Sequence, residues 1–132
     1  MAKKRKTGVE SSKSIVVVVQ DLFTAVRLTD ALHAMGYRGC TVQDEQELRR
    51  KLTEERPHLV ILDLQADGVR PHAVVSAARE AVPGRVIPVL AFGPHTDPKR
   101  REEALHAGVH RVVPKSIMAN ELPQLVRSIL RQ

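Results

Sequence analysis

Five short apolar runs, each followed by a stretch of helical periodicity, constrain the fold of this chain more than any other feature. The first run, Ile15-Val16-Val17-Val18-Val19, is unbroken and β-branched. A strand with one wet face alternates apolar and polar residues. A continuous run reads instead as a central strand covered on both faces, the pattern of a parallel sheet. Residues 39–42, 59–62, 86–92 and 109–113 supply four more strands. Pro88 lacks an amide donor, so it belongs near the start of its strand or at an edge.

Helical spacing fills the intervals. Ala25, Leu28, Leu32 and Met35 form one apolar stripe, which Gly36 stops. Asp44 is placed to cap a charged helix that turns Leu48 and Leu52 inward, with Pro57 beyond it. A third helix follows Pro71 and breaks at Pro83-Gly84. Thr96 or Asp97 caps a fourth, with Pro98 in its first turn and Gly108 at its end. Leu122, Leu125, Val126, Ile129 and Leu130 make the last helix amphipathic. Pro123 is tolerable there if the helix starts near Asn120. Strict alternation of five strands and five helices implies an α/β domain with helices on both faces of a parallel sheet.

The chain has 132 residues, which suits one domain over 14–132 plus a tail over 1–13. Aromatic residues are only 2%, so Val, Leu, Ile and Ala must fill the core. Cys40 is the single cysteine. No intrachain disulfide can form, and a reducing, cytoplasmic setting is expected. The longest apolar stretch is too short to span a membrane, and no signal-peptide pattern is expected. Net charge is +6, and part of it is local: Lys3, Lys4, Arg5, Lys6 and Lys13 oppose only Glu10. Such an arm is expected to be disordered and solubilising. Any attraction for nucleic acid would be non-specific and salt-dependent. The six histidines show no metal-ligand spacing, and no phosphate-binding glycine loop is present.

Asp63 ends the third apolar run and precedes a polar turn, Gln65 to Gly68. An acid at the carboxyl end of such a strand sits at the crevice where open α/β sheets bind ligands. With Pro57-His58-Leu59-Val60-Ile61-Leu62-Asp63-Leu64, two further segments follow in order: Ala107-Gly108-Val109-His110-Arg111-Val112-Val113-Pro114-Lys115 and Glu121-Leu122. On these residues the chain resembles the receiver domain of two-component response regulators. The resemblance implies a flavodoxin-like, three-layer (βα)5 fold with strand order 2-1-3-4-5.

The resemblance also implies a site. Asp63 takes the place of the phosphoacceptor, Lys115 that of the phosphate-pairing lysine, and Gln65 would offer a backbone carbonyl to Mg²⁺. A carboxylate attacking a phosphoryl group needs such cations, because both reactants are negative. The match is incomplete. Counting back from Gly36 puts Val19 and Gln20 where the family carries two metal-binding acids, with Asp21 one place later. Gly93 stands at the switch Ser/Thr and Val112 at the switch aromatic. Ser116 follows Lys115 where the family has proline with a cis bond, so a trans bond and a shifted Lys115 are expected.

Each key residue therefore has two readings. Asp63 is a phosphoacceptor, or the partner of Lys115 in a structural ion pair. Asp21 is a metal ligand, or the N-cap of the first helix. Two functions follow. One is a degenerate receiver that acts as a protein-interaction module, with weak or absent Mg²⁺ and little aspartyl phosphorylation. The other is a working receiver phosphorylated on Asp63 with a sparse Mg²⁺ site of Asp63, Asp21 and Gln65. Neither is an enzyme with a separate substrate. The partner class is a histidine kinase or output protein, with homodimerisation through the fourth helix, fifth strand and fifth helix.

Overall fold

The computed structural model describes residues 13–94 and 96–130. The elements run β1 (Ser14–Val18), α1 (Leu22–Ala34), β2 (Arg38–Val42), α2 (Glu45–Glu55), β3 (Leu59–Asp63), α3 (Pro71–Glu80), β4 (Val89–Gly93), α4 (Pro98–Ala107), β5 (Arg111–Pro114) and α5 (Lys115–Leu130). All strand pairs are parallel, in the order β2-β1-β3-β4-β5 that the resemblance implied. The basic arm expected over 1–13 lies outside the described residues except for Lys13.

Alternation along β1 sets the layers. Ile15 and Val17 enter one core with Leu28 and Leu32 of α1 and Met118, Leu122 and Val126 of α5. Val16 and Val18 enter the other, with Leu48 and Leu52 of α2, Val74 and Ala78 of α3 and Ala104 of α4. Successive side chains on a strand take opposite faces, so an unbroken apolar run is what two covered faces require.

The caps follow the sequence closely. Asp44 accepts from the Glu47 amide at 2.8 Å, and Glu47 Oε1 accepts from the Gln43 amide at 2.9 Å. Asp97, not Thr96, caps α4, accepting from the Arg100 amide at 3.2 Å. Gly108 closes α4 at φ 105°, in the left-handed region that favours glycine.

Three boundaries differ from expectation by more than one residue. β4 begins at Val89 rather than at residue 86. The Ile87 amide bonds back to Ala78 O on α3, and Pro88 has no donor, so 86–88 belong to the connection. β5 begins at Arg111 rather than at residue 109, because the Val109 amide closes the end of α4 on Ala104 O. α5 starts at Lys115 rather than near Asn120. It breaks at Glu121 (φ −123°, ψ 20°), two residues before Pro123, whose ring cannot follow an unbroken helix. The extra leading turn carries Met118 into the core at 1% exposure.

Candidate functional site around Asp63

The carboxyl ends of β1, β3, β4 and β5 form one rim, and β1 beside β3 is where the strand order reverses. Crevices of this kind bind ligands because loops diverge on either side of the reversal. Asp63 pairs across the sheet with Phe92 and is 5% exposed. Its Oδ1 accepts from the Gln65 amide at 2.9 Å. Burial pushes the carboxyl above its ordinary pKa. The Gln65 amide and the charges of Lys115 and Arg100 pull it down, and Asp21 pushes it up.

Lys115, Asp21 and Asp63 therefore share the rim, although they lie far apart in the chain. The expected Asp63–Lys115 ion pair is not formed: the described side chains pair Arg38 with Glu55, Arg70 with Glu45, Arg50 and Lys51 with Glu54, and Arg100 with Asp97. The reason is local. Lys115 opens α5 and lines a recess of about 60 Å³ with Thr24, Arg27 and Met118, between α1 and α5. Its charge reaches Asp63 without contact. The bond from Lys115 to Ser116 is trans.

Asp21 is the N-cap of α1. Its Oδ2 accepts from the Thr24 amide at 2.9 Å and from the Thr24 hydroxyl. These two bonds, ahead of the more distant Lys115, hold its carboxyl below the usual range. Gln20, at the position of the family's second acid, acts as a clamp. Its Nε2 donates to Gln43 O at 3.0 Å and Asp67 O at 2.8 Å, and its Oε1 accepts from the Asp67 amide at 2.9 Å. One neutral side chain thus ties the loops after β2 and β3 together. Val19 is buried in the core.

At the end of β4 the Leu64 side chain occupies the space beside Gly93. A Cβ on Gly93 would lie 3.3 Å from Leu64 Cβ. Arg100, from α4, donates to Leu64 O. Its sequence signal was a run of cations at the start of a helix, where the dipole disfavours them. The Gln20 clamp had no signal beyond its position. Among the described residues, no three His, Cys, Asp or Glu side chains gather as a metal-holding group.

The family model for the response regulator receiver domain matches residues 15–127. The chain belongs to this receiver family. The Transcriptional regulatory proteins PrrA of Mycobacterium tuberculosis and Mycobacterium bovis are each 29% identical over 126 residues, covering 96% of the chain and 53% of the relative. The receiver thus spans about half the length of these curated relatives. Among solved structures, the receiver domain of sensor histidine kinase PA1611 from Pseudomonas aeruginosa superposes with a TM-score of 0.79 at 20% identity, covering 92% of this chain and 100% of that one. That structure holds a magnesium ion in its active-site cleft. Chemotaxis response regulator CheY4 of Vibrio cholerae superposes at 0.78 and 19% identity, covering 91% and 100%. These likenesses establish the flavodoxin-like fold. No described helix of the receiver is long and apolar enough to cross a membrane.

Proposed function

We propose that this receiver is a degenerate signalling module whose output is protein binding, with little or no aspartyl phosphorylation. The observation that carries the reading is the donor set at the rim. Asp63 and Asp21 are the carboxylates within reach of one another's charge, and Asp21 is already engaged by Thr24. The Gln20 carboxamide brings no charge and is tied to Gln43 and Asp67. Mg²⁺ is hard, loses water reluctantly and favours charged oxygens. The residues present do not fit a tightly held Mg²⁺, even with the Gln65 carbonyl added.

The switch is missing as well. A hydroxyl at position 93 would donate to a new phosphoryl group; Gly93 has none, and Leu64 packs into that space. Val112 replaces an aromatic lever. The competing reading, phosphorylation of Asp63 with a sparse Mg²⁺ site, draws on the Lys115 and Arg100 charges that act on Asp63. In that case Asp63 Oδ attacks the donor phosphorus and the leaving group departs in line.

Incubation with acetyl phosphate and Mg²⁺, followed by intact-mass measurement, separates the two. The expected result is no added phosphoryl and no Mg²⁺ uptake by calorimetry at millimolar metal. A phosphoryl adduct that disappears in Asp63→Asn overturns the proposal. Partners of the receiver would be a histidine kinase or an output protein. Homodimerisation would use α4, β5 and α5, where Leu105 is 47% exposed. Leu22 and Phe23, 75% and 77% exposed at the start of α1, form a second apolar surface beside the rim.

A further inference from the structure

At the opposite end of the sheet from Asp63, under the amino ends of β3, β4 and β5, lies a cavity of about 410 Å³. Arg79, Arg85, His58 and His110 line it, and among the described residues no carboxylate does. Val75, Ile87 and Ile129 supply an apolar wall. This volume falls in the range of small-molecule sites, which combine apolar walls with a few placed polar groups.

The two guanidiniums are differently held. Arg85 is fixed by the backbone, donating through Nη1 to Pro57 O at 2.9 Å and through Nη2 to Arg56 O at 3.0 Å. Arg79 lies across the turn from α4 to β5. A Cβ on Gly108 would approach its Nη2 to 2.9 Å, so the glycine leaves the guanidinium its room. Neither arginine joins an ion pair among the described residues. His58 Nδ1 is buried without a hydrogen-bond partner. A buried polar nitrogen without a partner is uncommon in a folded chain. Burial, then the charges of Arg85 and Lys13, holds the His58 ring below its usual pKa.

We propose that this cavity binds a small organic phosphate, its phosphate group held by Arg79 and Arg85 and its apolar body lying against Val75, Ile87 and Ile129. Guanidinium forks match phosphate oxygens in bidentate geometry. Two positive charges, one fixed by the backbone, with no facing carboxylate among the described residues, suit a dianion better than a single carboxylate. His58 adds its ring to the wall of the same cavity.

The test titrates the full chain with AMP, inorganic phosphate and adenosine at fixed ionic strength, by calorimetry and by amide chemical shifts. The expected result is binding of AMP, at least tenfold weaker binding of adenosine, and shifts at His58, Arg79, Arg85 and Gly108. Arg79→Met should weaken AMP at least tenfold. His110→Gln, a change at an exposed position, should weaken it several-fold and serves if Arg79→Met does not fold. Adenosine binding as tightly as AMP overturns the proposal. So do shifts confined to Asp63, Gln65 and Lys115, full affinity in the folded variants, or no binding of either phosphate at millimolar concentration.

Discussion

At Gly93 the missing side chain and the neighbouring Leu64 are one packing solution. A Cβ there would meet Leu64 Cβ at 3.3 Å and Cδ1 at 3.4 Å, tight enough that Leu64 must give by a few tenths of an ångström. Gly93→Thr is therefore expected to destabilise by about 1–3 kcal/mol through overpacking. Adding Leu64→Ala should return part of that loss, a non-additivity measurable in a double-mutant cycle by urea unfolding. Strictly additive losses would contradict the contact. Asp63 makes a prediction of the opposite kind. Burial raises its carboxyl above the ordinary value, so the folded chain keeps a proton that the unfolded chain releases. The folded state then binds more protons over that interval, and stability falls as pH rises through it. Asn can keep the bond from the Gln65 amide without the charge. Asp63→Asn should raise the unfolding midpoint at pH 7, with a gain that shrinks toward pH ~4, the ordinary carboxylate value. A gain that grows on acidification would refute the assignment.

At the scale of the element, capping and punctuation decide where each helix begins and ends. Asp44 and Glu47 satisfy amides at the start of α2 from both sides. Asp44→Ala should cost about 1 kcal/mol by chemical denaturation, since the Glu47 amide loses its acceptor. An unchanged midpoint would mean water replaces the cap fully. α5 illustrates what periodicity misses. Pro123 was legible as a first-turn proline, and it does follow the break at Glu121. The turn ahead of it was not legible, because its driving force is the burial of Met118 against the far side of the sheet. The starts of β4 and β5 were displaced for a related reason. The Ile87 and Val109 amides bond to helices rather than to strands, a choice that apolar sequence alone does not reveal.

At the scale of the whole molecule, the large exposed apolar side chains among the described residues lie in three places: Leu22, Phe23 and Val26 on α1, Val86 in the connection before β4, and Leu105 on α4. Isolated apolar residues need no partner, whereas a contiguous set does. If the receiver self-associates through α4, β5 and α5, Leu105→Glu should yield monomer in light scattering while Phe23→Glu leaves the oligomer intact. Monomer in the Phe23→Glu variant alone would move the interface to α1.

The parallel sheet covered on both faces and most helix caps were determined by the sequence, because period, β-branching and capping chemistry act over a few residues; the strand order came only through the resemblance to receiver domains. Asp63 was legible as a rim residue because it ends an apolar strand, and Lys115 through the resemblance. Tertiary structure alone decided how the rim is wired. Lys115 stands off Asp63, Gln20 binds two loops and Arg100 reaches Leu64 O. These are contacts between groups distant in the chain, or choices among nearby partners. Distances of a few ångströms set them, and no local pattern encodes those distances.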